Sequence, residues 1–358
     1  MIERLGAGDR IAVLTSGGDA PGMNAAIRAV ARVGGALGLE VVGIEDGYEG
    51  LIAGRVQPLD LRALDEAARR GGTALGTARS AAFRSEEGRA RARQTIDRER
   101  LRGLVVIGGN GSLTGAQLLE GVVGVAGIPA SIDNDLGCTS MCIGVDTALN
   151  TIVEACDRIN DTASAHRRTF VVEVMGRDSG YLAMTAAIAA GADAVLLREV
   201  GRSEGELVEQ VVRAIELAYA RDSGKRRVLV VKSEAVKMDP ARLKAAVDER
   251  VRPGLEIDTR VTVLGHLVRG GAPSAFDRLL AAHLGNAAVR ALVDGASGFM
   301  AGWAGPGVAG DPCAYDPYVV LTPIPEVLRE TDRLLRGDSA LAQWRRHTFE
   351  QAESILLK

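Results

Sequence analysis

The chain has 358 residues, with 47% hydrophobic and 25% charged side chains and a formal net charge of −3. This is an ordinary globular profile, and its length calls for two cores or one large α/β unit. Nothing in the charge points to nucleic acid or an acidic membrane surface. With no apolar run of about 18 residues and no signal-peptide core in "MIERLGAGDR", no membrane association and a cytoplasmic location are expected.

Strand and helix signals then alternate. "RIAVLTS" (10–16) reads as a buried strand, and 22–37 as a helix that turns Ala25, Ile27, Val30 and Ala31 inward. "EVVGI" (40–44) is a strand, followed by an amphipathic helix over 61–70 and an exposed basic one over 87–101. "LVVIG" (104–108) is a strand, 112–122 a helix, 128–132 a short extended stretch and 145–164 a long helix. Strands at 168–176, 193–200, 226–234 and 258–265 are interleaved with helices at 178–191, 204–220, 239–251 and 274–295. The tail beyond about Pro306 is less regular and ends in helices near 324–336 and 338–352. This alternation predicts βαβ units with mostly parallel sheets, whose ligands sit beyond the carboxyl ends of the strands.

Glycine, at 44 residues, clusters at those strand ends. "LTSGGDAPGMN" (14–24) is a strand, a glycine turn and a helix start, with Asp19 suited to a cap and Pro21 to the first turn. It is either a capped tight turn or a phosphate cradle of bare N–H groups. "VVIGGNGSLTGA" (105–116) has the same character, with a neutral Asn110 at its tip. In "PASIDNDLG" an extended backbone would point Asp133 and Asp135 the same way. They read either as a solvated turn or as a base beside a Mg²⁺ ligand. Arg79, Arg84, Arg177, Arg260, His266 and Arg269 lie near strand ends and could cage phosphates. "GRSEG" (201–205) fits a hydrolase nucleophile pattern, but Ser203 and Glu206 also make a helix capping box, the reading adopted. Cys138, Cys142, Cys156 and Cys313 complete no zinc pattern and read as small buried fillers.

In order from about residue 10 to residue 295, "LTSGGDAPGMNAAIR", "GGT…GTAR", "IGGNGS", "SIDND", "VVEVMGR" and "TVLGHLVRGG" resemble the phosphofructokinase family. The resemblance implies two Rossmann-like α/β domains with mostly parallel sheets and the active site in the cleft between them. The donor domain would comprise 1–145 with about 260–310, and the sugar-phosphate domain 146–259 with about 311–358. It also implies a homotetramer, or a dimer, that transfers a phosphoryl group from ATP or pyrophosphate to the 1-hydroxyl of fructose 6-phosphate with Mg²⁺. Asp133 would be the base, and Asp135 would assist it and orient the metal beside Asn110. Arg177 and Arg79 would stabilise the moving phosphoryl group. Gly18, Gly109, Gly111 and Ser112, with Arg84, would hold the donor. Ser131, Met175, Gly176 and Glu234 would hold the sugar. His266 and Arg269 would bind its phosphate, joined by Arg168 and Arg260 from a neighbouring subunit.

Departures from the family pattern carry expectations of their own. Asn110 stands where Asp is common, which predicts weaker Mg²⁺ binding. Gly111, where pyrophosphate users carry Asp, and Ala130, where they carry Lys, favour ATP, with pyrophosphate the alternative. A non-catalytic ligand-binding relative is a third reading, favoured by Asn110 alone. Arg28, Arg32, Lys225 and Arg226 match the family's effector pocket, while Leu61, Asn160 and Ser223 replace arginines. Weak or no response to phosphoenolpyruvate and ADP is the expectation.

Overall fold

The computed structural model describes residues 2–220, 224, 227–252, 255 and 257–356. The chain divides into two compact units, Met1–Thr147 with Arg269–Ala342, and Ala148–Val268 with Gln343–Lys358.

In chain order the first unit opens with β1 (Arg10–Ser16), α1 (Met23–Ala36), β2 (Glu40–Ile44), α2 (Gly47–Ala53), β3 (Val56–Pro58) and α3 (Leu61–Ala67). It continues through α4 (Glu86–Arg98), β4 (Leu101–Gly108), α5 (Asn110–Gln117) and β5 (Gly124–Pro129). The second unit holds α6 (Val145–His166), which starts just before the boundary, then β6 (Arg168–Val174), α7 (Tyr181–Ala189) and β7 (Ala194–Leu196). It goes on with α8 (Glu204–Ala218), β8 (Val228–Ser233), α9 (Pro240–Arg250) and β9 (Asp258–Val263). The chain then returns to the first unit for α10 (Ala275–Val293), β10 (Phe299–Trp303), β11 (Val319–Pro323) and α11 (Ile324–Arg336), and α12 (Ala340–Leu356) closes it.

The first unit is built on a seven-stranded sheet of order β11-β10-β5-β4-β1-β2-β3. It is parallel except at its edges, where β3 and β11 run antiparallel to their neighbours. Its central strands are buried on both faces, which is why they read as continuous apolar runs. The second unit has a parallel four-stranded sheet of order β7-β8-β6-β9. Val208, Val211, Ile215, Val230 and Leu243 centre its core.

Sequence periodicity misses α2, β3, β10 and β11. The first carries two glycines, and each of the strands is five residues or fewer. Residues 311–342, expected with the sugar-phosphate domain, belong to the first unit, because β11 pairs with β10 along its whole length and α11 follows it. Helix α1 begins at Met23 and is capped by Gly22 in a left-handed conformation (φ 107°), so Asp19 is not its cap and Pro21 lies ahead of it. The strand expected over 193–200 keeps only Ala194–Leu196 and turns at Arg198–Val200. Cys142 and Cys156 are buried as expected, but Cys138 and Cys313 are only partly so. Burial pushes the Cys138 thiol up to about 12 and that of Cys156 up to about 11, which makes both poor nucleophiles at neutral pH.

Candidate active site

In the first unit, β1 and β4 are neighbours in register, and each runs directly into glycines. Ser112 stitches the two loops together, since its hydroxyl donates to the Ser16 carbonyl at 2.9 Å. A Cβ on Gly108 would fall 2.4 Å from both that hydroxyl and that carbonyl, so only glycine permits the crossing. From below, Tyr48 donates its hydroxyl to the Ser112 carbonyl at 2.6 Å and stacks on Phe83. Complete burial raises the Tyr48 pKa far above its ordinary value, so the phenol stays a donor.

Helix α5 starts at Asn110, two residues before the expected start. Asn110 and Gly111 therefore form its first turn, where backbone N–H groups have no intrahelical acceptor. Gly111 is exposed, and a Cβ built on it would meet nothing within 4 Å. On the β1 side, the Thr77 hydroxyl donates to the Gly17 carbonyl at 2.8 Å. Asn24 accepts from the Ala74 N–H at 2.6 Å, which ties the 70–74 loop to α1. Arg79 and Arg84 are exposed beyond this loop. Arg269, expected at the sugar phosphate, donates to the Asp19 carbonyl at 3.1 Å and lies against Gly18, so it stands beside the first glycine loop.

The segment after β5 is a turn and not the extended stretch expected, because Asn134 is left-handed (φ 48°). Its side chain explains why: it accepts from Cys142 N–H at 3.0 Å and donates to the Ser140 carbonyl at 3.0 Å. Asp133 and Asp135 flank this anchor, exposed by 5% and 8%. The Ser131 hydroxyl donates to Asp135 at 2.9 Å and accepts from Asp133 N–H at 3.3 Å. The buried middle of "DND" thus holds two carboxylates at set places along the turn.

In the second unit, β6 and β8 are parallel neighbours, with Glu173 opposite Lys232. Beyond them, Glu234 accepts from the N–H groups of Gly176 (3.0 Å) and Arg177 (2.5 Å). Arg177 is left-handed (φ 51°), and its side chain is exposed. Met175 is half-buried beside them. Arg168 and Arg260 both pair with Asp258, at 2.7 Å each. Hydrogen bonding from Arg260, against a small desolvation effect and with help from Arg168, holds the Asp258 carboxyl below its ordinary range. His266 is exposed in a tight 3₁₀ turn over Gly265–Arg269.

Asp258, which ties two phosphate-binding candidates together, escapes sequence reading because one acid at a strand start has no pattern. Tyr48 and Asn24 are equally silent, as both act on backbone distant in sequence. At the other expected site, Arg28 and Arg32 both pair with Asp65 on α3, whose carboxyl is held low by Arg32 first and then by Arg28. Leu61 is exposed on the same helix, and Asn160 is half-buried on α6. Ser223, Lys225 and Arg226 lie outside the described residues. Ser203 and Glu206 do form the capping box of α8, which leaves no hydrolase elbow at "GRSEG".

A phosphofructokinase family model matches residues 10–292. An ATP-dependent 6-phosphofructokinase of Thermotoga neapolitana is 47% identical over 81% of this chain and 88% of its own. One from Thermus thermophilus is 49% identical over 82% of this chain and 89% of its own. The solved phosphofructokinase of Saccharomyces cerevisiae superposes on 98% of this chain with a TM-score of 0.84 and 31% identity. The chain spans 49% of that yeast chain. A family model over residues 10–292 and relatives nearly half identical over most of their own length show that the chain belongs to the phosphofructokinase family.

Proposed function

We propose that the protein is an ATP-dependent 6-phosphofructokinase, transferring the γ-phosphoryl group to the 1-hydroxyl of fructose 6-phosphate. The names of its relatives support the activity, and the observation that carries the donor choice is Gly111. Its N–H lies in the first turn of α5, where the helix dipole favours anions, with open space where a side chain would stand. An aspartate there would put a charge into that space, against the donor's phosphates. Ala130 is buried and offers no cation to pyrophosphate.

Such transfers need positioning and charge stabilisation more than covalent chemistry. Asp133 is the proposed base for the 1-hydroxyl proton, with the turn around Asn134 fixing its place. Gly18, Gly109 and Gly111 present the N–H groups that hold the donor, Ser112, whose own N–H donates to the Gly109 carbonyl at 3.0 Å, braces their loops, and Arg79 and Arg84 add charge. Arg177 is the proposed stabiliser of the transferring group. Glu234, whose Oε1 accepts from two N–H groups, holds the backbone of Arg177 and keeps Oε2 for a sugar hydroxyl. His266 takes the 6-phosphate. Arg168 and Arg260, preset by Asp258, serve a neighbouring subunit of a cytoplasmic homotetramer. The placement of Arg269 beside Gly18 favours a role nearer the donor than the resemblance implied.

The residues present suit Mg²⁺. Asp135 offers a carboxylate with one oxygen already oriented by Ser131, and Asn110 offers a carbonyl. Among the described residues, no group of three or more His, Cys, Asp or Glu forms a cage. Asp135 and Asn110 are the residues that would hold the ion, a small protein share of the kind usual for Mg²⁺ at phosphate-transfer sites. When bound, the ion neutralises charge that develops on the phosphates. A coupled assay of the two donors tests the proposal: turnover with ATP and fructose 6-phosphate supports it, and turnover only with pyrophosphate overturns it.

A further inference from the structure

We infer that Lys232 is a positioning residue for the acceptor side of the reaction, acting through the turn that carries Glu234. This rests on the roles proposed above for Glu234 and Arg177.

Lys232 lies in the second unit's central strand pair and is 1% exposed, an unusual place for an ammonium group. Its three N–H donors have three acceptors. One is Glu173 Oε2 at 2.5 Å, from the residue directly opposite on β6. The others are the carbonyls of Val236 at 2.8 Å and Ser233 at 3.3 Å. Those two carbonyls are the two ends of the turn 233–236, which is also closed by Val236 N–H to the Ser233 carbonyl at 3.0 Å. The ammonium thus fastens both ends of the turn at once and fastens them to β6.

The fastened segment is the one that matters for the acceptor. Glu234 N–H donates to the Val174 carbonyl at 2.9 Å, and its carboxylate accepts from Gly176 and Arg177. Arg177 holds a left-handed backbone that a side-chain-bearing residue adopts only under constraint. Glu173 reaches the other neighbour too, since its carbonyl accepts from Leu264 N–H at 3.0 Å, just before the His266 turn. If the pair served stability alone, two apolar side chains would do as well, because buried ion pairs seldom outperform them. They could not hold the two turn carbonyls.

The test uses Lys232→Met, and Lys232→Met with Glu173→Leu so that no buried carboxylate is left unpaired. Glu234→Gln is made alone and combined with each. Folding is followed by circular dichroism and thermal melting, and kcat and KM are measured for both substrates. Both Lys232 variants should lose roughly ten- to a hundredfold in kcat/KM for fructose 6-phosphate. Their KM for ATP should stay within about twofold of the parent's. Adding Glu234→Gln should cause little further loss, as expected of residues that act as a unit. A folded Lys232→Met/Glu173→Leu enzyme with parental constants would overturn the inference, as would losses that simply add. Parental kinetics in Glu234→Gln alone would remove the site reading and the inference with it.

Discussion

The two units hold charge in opposite ways. In the first, the candidate donor cradle is built on backbone: glycine loops at the ends of β1 and β4, and the first turn of α5, stitched by Ser112. In the second they are side chains, and carboxylates set their places: Asp258 holds Arg168 and Arg260, and Glu234 holds the loop of Arg177. A backbone cradle is specific through the room it leaves. A side-chain cage is specific through the partners that preset it. Damage should therefore differ in kind, with added bulk or charge harmful in the first unit and lost carboxylates harmful in the second.

Removing the proposed base should have the largest effect. Asp133→Ala is expected to lower kcat by about 10² to 10⁴, the span general-base loss commonly covers. Steady-state assay of a folded variant checks it, and a retained rate would mark another group as the base. Next in size is Gly111→Asp. A carboxylate facing the donor phosphates should raise the KM for ATP by roughly 10- to 100-fold, with the KM for fructose 6-phosphate nearly unchanged. Equal damage to both would break the division between units.

Legibility in the sequence follows the same division. Gly111 and Gly18 can be read because a glycine at a strand end usually marks a tight turn or a close approach to backbone or ligand. The exposed strand-end arginines stand out in clusters. Asp258 and Lys232 do not, because their meaning lies in a partner on another strand, and register cannot be read from one strand. Asn134 reads as a spacer between two acids, yet its buried amide folds the turn. The edge strands β3 and β11 escape because short strands carry too little periodicity.

Smaller effects sharpen the contrast between the units. Asp258→Asn should raise the KM for fructose 6-phosphate a few-fold, because the arginines it presets are partly exposed and solvent already screens them. The pH sign is fixed by the depressed Asp258 carboxyl: its hold on both arginines is complete above the ordinary carboxylate range and is lost as pH falls through the lowered value. Parent and variant melting temperatures should therefore converge in acid. Smallest is Asn110→Asp, which restores one charge and should lower the Mg²⁺ needed for half-maximal rate by about threefold to tenfold. A metal titration with an unchanged or raised midpoint would contradict that.

That an open backbone cradle selects a nucleotide is tested by the ratio of kcat/KM for ATP to that for pyrophosphate, at saturating fructose 6-phosphate and with Mg²⁺ titrated for each donor. A cradle of this kind predicts a ratio of about 100 or more in favour of ATP, equivalent to roughly 2.7 kcal/mol of preference. A ratio at or below unity would contradict it.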